Sequence, residues 1–233
     1  MRRMKFSKLV ETKFGRMMIP ASDAHVGESL ERDGLYSKDE LNKLLALIGP
    51  NDNVLELGAH IGSFTVPLAQ KCKHVWAFEP QPITRAYLSA NMLLNDLNNV
   101  TIRHEAISDR LQTVEAATYQ LGTENFNTGG MVFGPGQNAQ RAYMVTLDSL
   151  NFSEPIKLVK MDIEGYEPQA LLGGLNFFRT HKPVLWMEHD RPENMPATEM
   201  LLSKLGYEFE LHTDRLNSFS DYCAYNILCW PKK

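Results

Sequence analysis

The feature that most narrows the folds open to this chain is an alternation that starts at Val54, in which short apolar strands are separated by stretches of helical spacing. Strands are predicted over 54–57, 74–78, 100–104, 156–161, 184–187 and 207–211, with a last one around 222–230. Helical spacing follows Gly62 to about residue 70 and recurs over 83–95, 167–172, 175–180 and 198–205. Strands joined by crossover helices predict an α/β fold with a mostly parallel sheet covered on both faces. Ahead of this run, Leu41, Leu44, Leu45 and Ile48 stand at i, i+3, i+4 and i+7, with Ser37 and Glu40 at capping-box spacing and Gly49-Pro50 as a stop. A helix is predicted there. Residues 1–35, with Pro20, Asp23 and Gly27 among short apolar pieces, read as a hairpin and loop, and residues 36–233 as one domain. The glycine-rich interval 121–138 is too long for a simple connection. It reads as a lid or substrate platform bearing Phe126 and Phe133.

In an open α/β sheet, ligands bind beyond the carboxyl ends of the strands, so the strand exits hold the candidate residues. At the first exit, VLELGAHIGSF, Gly58 and Gly62 bracket a tight turn that lets backbone approach a ligand. Ala59 and His60 stand where a dinucleotide fingerprint needs its middle glycine, and no G-x-x-x-x-G-K-[ST] is present, so pyrophosphate and triphosphate sites are disfavoured. At the second exit Glu79, ahead of Pro80, is placed to accept both hydroxyl protons of a ribose. A nucleoside without phosphates fits this pair of exits, and S-adenosylmethionine is such a ligand. Glu56 then orients its amino-acid end, and Glu105, Ala106 and Ile107 border the adenine.

The most distinctive exit is KLVKMDIEGYEPQALLGG, where Asp162, Glu164 and Glu167 fall within six positions. Carboxylates so close repel one another, so a helix N-terminus, a cation or a substrate must account for them. A divalent cation on Asp162, Glu164 and Glu188 is one such account. No metal site is assigned.

Composition excludes several classes of function. Lys and Arg total 24 against 28 Asp and Glu, a formal charge of −4, so the general attraction to a phosphate backbone is missing. No N-P-P-[YFW] motif and no basic tract with interleaved aromatics is present, and nucleic acid is not the expected partner. The longest apolar runs are a few residues, far short of the roughly 20 that span a bilayer. No apolar stretch follows the basic start, so it does not read as a signal peptide. Cys72, Cys223 and Cys229 form no CxxC and leave an odd thiol under any pairing, which suits a reducing, cytoplasmic setting.

VLELGAHIGSF, VWAFEP, NTGG and VKMDIEGYEPQALLGG, in that order and spacing, resemble the FkbM family of S-adenosylmethionine-dependent methyltransferases, over about residues 18–211. The resemblance implies the class I methyltransferase fold, a Rossmann-like three-layer sandwich whose seven-stranded sheet has order 3-2-1-4-5-7-6 with strand 7 antiparallel. It implies methyl transfer to a hydroxyl oxygen of a small molecule or sugar. Glu56, Gly58, Gly62 and Glu79 match the family's cofactor positions, Asp162, Glu164 and Glu167 its acidic motif. Ala59, His60, Phe64 and Pro80 adjoin the cofactor turns. Glu56 replaces the commoner Asp, and His60 the commoner Asn. Asp162 is the first candidate to orient or deprotonate the acceptor and also borders the cofactor, with Glu188 and His189 next. A homodimer is compatible with this reading. A nucleic-acid methyltransferase and a cofactor-sensing protein without catalysis are the competing readings.

Overall fold

The computed structural model describes residues 6–116, 139–212 and 226–232. Its centre is a seven-stranded sheet. In chain order these strands are β3 (Asn53–Leu57), β4 (His74–Phe78), β5 (Val100–Arg103), β9 (Leu158–Met161), β10 (Val184–Glu188), β11 (Tyr207–His212) and β12 (Asn226–Pro231). The spatial order is β5-β4-β3-β9-β10-β12-β11. All neighbours pair in parallel except β12, which is antiparallel to both β10 and β11. This is order 3-2-1-4-5-7-6, as expected.

The central strands bury both faces, and their period of two divides the core into two layers. Val54, Val75, Leu158 and Trp186 face α1 (Val26–Asp33), α2 (Lys38–Ala46), α3 (Thr65–Ala69) and α4 (Pro82–Leu94). Leu55, Val159, Leu185 and Met187 face α5 (Glu167–Leu172), α6 (Leu175–His181) and α7 (Met195–Leu205). A smaller sheet is formed by β6 (Ala106–Ile107), β8 (Gln140–Val145) and β7 (Gln112–Ala116).

The N-terminal hairpin is present as β1 (Ser7–Thr12) and β2 (Gly15–Pro20). Its outer edge is closed by two side-chain amides one helical turn apart on α4. Asn91 accepts the Met18 N–H at 2.6 Å and donates to Met18 O at 3.1 Å, while Asn95 accepts the Arg16 N–H at 3.1 Å and donates to Arg16 O at 2.8 Å. A bare strand edge is thereby satisfied without another strand.

Three local expectations are corrected. Residues 26–33, read as loop, form α1, because Val26 and Leu30 at i, i+4 reach the core and Gly34, at φ 71°, closes the helix. Eight residues are too short a run for periodicity to show among the nearby turn formers. Ser37 is no capping box: it sits at φ 45° and its hydroxyl donates to the Glu40 carboxylate instead of the helix taking a side-chain cap. That helix also ends at Ala46, before Gly49-Pro50. The interval 121–138 with Phe126 and Phe133 lies outside the described residues, as does Cys223. Cys72 and Cys229 are buried free thiols. No helix among the described residues is long and apolar enough to cross a membrane.

Candidate active site

The turn from β3 into α3 is built on glycine. Gly58 has φ 86°, and a Cβ there would lie 1.9 Å from the Asp162 carbonyl oxygen, so a side chain would push the first and fourth strand exits apart. The N–H groups of Gly58 and Ala59 both donate to Phe78 O at 3.0 Å. At Gly62, φ 90°, a Cβ would meet Leu88 Cδ1 at 2.8 Å, so this glycine lets α4 pack close. His60 lies between them at φ 52°, and its backbone N–H donates to Glu79 Oε2 at 2.8 Å.

Glu79 is buried at the end of β4, where its other oxygen accepts the Gln81 N–H at 2.8 Å. Burial pushes its carboxyl up to about 7, while these backbone donors and the Arg85 guanidinium favour the charged form. Each oxygen keeps a further lone pair for a ligand hydroxyl. Beside it opens a cleft of about 540 Å³ whose walls include Phe78, Pro80, Ala106, Ile107 and Ile163. Glu105 borders the cleft too. Its carboxylate is taken by the Arg103 guanidinium at 2.5 and 3.0 Å, which holds it below the usual carboxylate range despite partial burial.

On the other side of Gly58, Glu79, Asp162 and Glu164 a larger, polar pocket of about 1310 Å³ opens. The turn from β3 into α3 contributes Ala59, His60 and Phe64 to it, and α1 contributes Glu28, Ser29 and Arg32. Lys160 and Glu188 line it from β9 and β10. The two spaces meet at Gly58, Glu79, Asp162 and Glu164.

The crowded carboxylates of the fourth exit are accounted for one by one. Asp162 Oδ2 accepts from Lys160 Nζ at 3.1 Å, and its side chain is 43% exposed. Glu164, left-handed at φ 56°, forms an ion pair with Arg191, while burial pushes it up to about 6. Glu167 turns back to accept the Ile163 N–H at 3.0 Å and is pushed by burial up to about 7, so it ties the turn together. Among the described residues no three His, Cys, Asp or Glu side chains are grouped to hold a metal ion.

Glu56, 1% exposed, accepts from Thr65 Oγ1 at 2.7 Å through Oε2, while its buried Oε1 has no hydrogen-bond partner. Burial pushes it up to about 7, against the pull of Lys160 and Thr65. Glu188 is pushed up to about 10, by burial first and then by the carboxylates of Asp162, Asp190 and Glu164. The structure does not bring His189 to the pocket. It follows the last residue of β10, its ring is buried, and its Nε2 lies 3.5 Å from Glu199 on α7.

Lys160 and the α1 residues were not among the sequence candidates. A lysine amid Leu158, Val159 and Met161, on a strand flanked by parallel neighbours, was the available signal, because a charge in such a place needs partners.

The family model described as "Methyltransferase FkbM domain" matches residues 56–209, from within β3 to within β11. A solved methyltransferase FkbM from Methylobacillus flagellatus shares the fold at TM-score 0.57 and 20% identity, over 76% of this chain and 43% of that one. M. jannaschii TYW2, solved in complex with AdoMet, superposes at TM-score 0.58 and 14% identity, over 99% of this chain and 87% of that one. A curated relative from Methanosphaera stadtmanae, named as a probable ribosomal RNA small subunit methyltransferase A, is 39% identical over 70 residues, 29% of this chain and 26% of its own length. The tRNA(Phe) (4-demethylwyosine(37)-C(7)) aminocarboxypropyltransferase of Methanocaldococcus jannaschii is 41% identical over 64 residues, again 26% of its length. These curated matches therefore span about a quarter of each relative. With the matched model covering most of the sheet and both glycine turns, the chain belongs to the methyltransferase FkbM family, whose cofactor is S-adenosylmethionine.

Proposed function

We propose that this protein transfers the methyl group of S-adenosylmethionine to a hydroxyl oxygen of a small molecule or sugar. The observation that carries the reading is the meeting of an apolar cleft and a polar pocket at Gly58, Glu79, Asp162 and Glu164. The residues fit the cofactor: the cleft suits an adenine, Glu79 offers two acceptor oxygens to a ribose, and the orphaned Glu56 Oε1 sits deep beneath the turn. When bound, S-adenosylmethionine supplies a methyl group already activated by its sulfonium.

What remains for the protein is to place the acceptor in line, exclude water and take up a proton. Asp162, at the junction, accepts the acceptor's hydroxyl hydrogen. Neutral Glu188 donates a hydrogen bond to the acceptor from the pocket wall. The arms of α1 reach the same space with Glu28 and Arg32, so they touch the acceptor and set its identity. Leaving neutral Glu188 aside, four carboxyl groups against two permanent cations line this pocket, a poor setting for a polyanion.

Incubation with methyl-labelled cofactor tests the reading, with a pool of hydroxylated metabolites in one arm and total RNA in the other. Label is expected in the small molecules, and turnover should fall about 10²-fold or more in Asp162→Asn with cofactor affinity little changed. Label confined to RNA would replace the acceptor class.

A further inference from the structure

Three side chains on neighbouring central strands stand in one transverse row. Glu56 on β3 is in register with Lys160 on β9, and Lys160 is in register with Trp186 on β10. The row faces the layer of α1 to α4. There it is closed by Glu40 of α2, a buried carboxyl that accepts from Trp186 Nε1 at 2.8 Å and from Ser37 Oγ at 3.0 Å. Lys160 itself is 1% exposed, and its ammonium lies 4.6 Å from the centre of the Phe64 ring.

We propose that Lys160 is a positioning residue for methyl transfer, a buried ammonium on a central strand that holds Asp162 aimed at the acceptor. This deepens the proposed function and rests on its reading of Asp162 as the acceptor-facing group.

Isolated burial of an ammonium is prohibitive, and a chain retains one only when carboxylates surround it. Burial would lower the Lys160 ammonium, but Asp162, Glu40 and Glu56 more than offset this and hold it above its usual value. Those three partners are not equivalent. Glu40 and Glu56 are buried and held in place by Trp186, Ser37 and Thr65, whereas Asp162 is substantially open to the pocket. Lys160 thus ties the one open carboxylate to a rigid floor. It occupies Oδ2 and leaves Oδ1 for the acceptor.

The need for a cation is visible in what else reaches Asp162. Carboxyl groups interact with it from every side: Glu40 on α2, Glu56 on β3, Glu79 on β4, Glu188 and Asp190 at the exit of β10, and Glu164 and Glu167 on its own turn and helix. Without the ammonium nothing would offset this repulsion, and the half-open Asp162 side chain would turn away from the junction. Glu40 lies ahead of residue 56, so part of the support comes from outside the matched family region.

The test is turnover with methyl-labelled cofactor and the hydroxylated pool, in wild type, Lys160→Met and Lys160→Arg, with calorimetric titration of S-adenosylmethionine alongside. Turnover should fall about tenfold or more in Lys160→Met and recover in part in Lys160→Arg, with cofactor affinity kept within about threefold. Unchanged turnover overturns the proposal, and so does loss of cofactor binding in step with turnover, which would place Lys160 in the cofactor site. Should Lys160→Met not fold, Asp162→Asn decides. It alters a half-open side chain, and hydrogen exchange at the Lys160 ammonium should then quicken by about threefold or more if Asp162 is its partner. Unchanged exchange overturns the proposal. A wild type that shows this coupling but transfers no methyl group to any hydroxyl would sink the proposed function and leave the Lys160–Asp162 coupling standing.

Discussion

Glu79 illustrates how one buried side chain serves two purposes. It ties the first two strand exits together through the His60 and Gln81 N–H groups and still presents lone pairs to the cleft. Hydrogen bonds to a charged carboxylate are worth about 1.5–3 kcal/mol, so Glu79→Ala should weaken S-adenosylmethionine roughly tenfold to hundredfold by calorimetry. Unchanged affinity in a folded variant would remove the ribose assignment. Glu79 was legible as a carboxylate at a strand exit because it follows an apolar strand and precedes Pro80. His189 follows Glu188 in sequence, but its buried ring faces Glu199 on α7 and not the pocket, which one sequence position could not reveal. Lys160 lies among acids whose crowding is the more visible signal, yet a lysine in a fully buried strand is the costlier residue to explain.

At the scale of elements, the strands followed from apolar runs and spacing and their spatial order from the family resemblance, and the structure bears both out from β3 to β12. What was not legible was joining by side chains. Asn91, fully buried on α4, bonds Met18 of the hairpin on one side and donates to Ile61 O of the cofactor turn at 2.8 Å on the other. Nothing in the spacing of Asn91 distinguishes it from a surface residue. Its replacement by Ala would leave three backbone groups unpaired, and a loss of roughly 2–4 kcal/mol in urea unfolding is expected, against less for Asn95→Ala at the more open end. Equal and small losses in both would show that the hairpin docks by apolar packing alone. α1 escaped notice for a related reason, since two buried side chains in eight residues make a weak period.

For the molecule as a whole, the cost of the site appears as pH-dependent stability. Glu56, Glu79 and Glu167 are each raised to about 7, and Glu188 to about 10, from an ordinary value near 4.5. Between those values the folded state binds more protons than the unfolded chain, so their contribution is full below about pH 4.5 and is lost as pH rises through about 7, and through about 10 for Glu188. Half-buried His74 and His181 are lowered by burial and act in the opposite direction, with less desolvation behind them. The ligand-free protein should therefore melt at a lower temperature at pH 8 than at pH 5.5 by scanning calorimetry. A rise over that interval would mean that these carboxyls are solvated. The site and its acceptor wall are drawn from the whole described chain, α1 and Glu40 included, and the claim that joins them is geometric. A crystal structure with S-adenosylhomocysteine tests it most directly. The adenine should lie between Pro80 and Ala106, the ribose hydroxyls within hydrogen-bond distance of Glu79, and the sulfur should face the polar pocket beside Asp162. A nucleoside bound elsewhere, or a sulfur turned away from Asp162, would contradict the account.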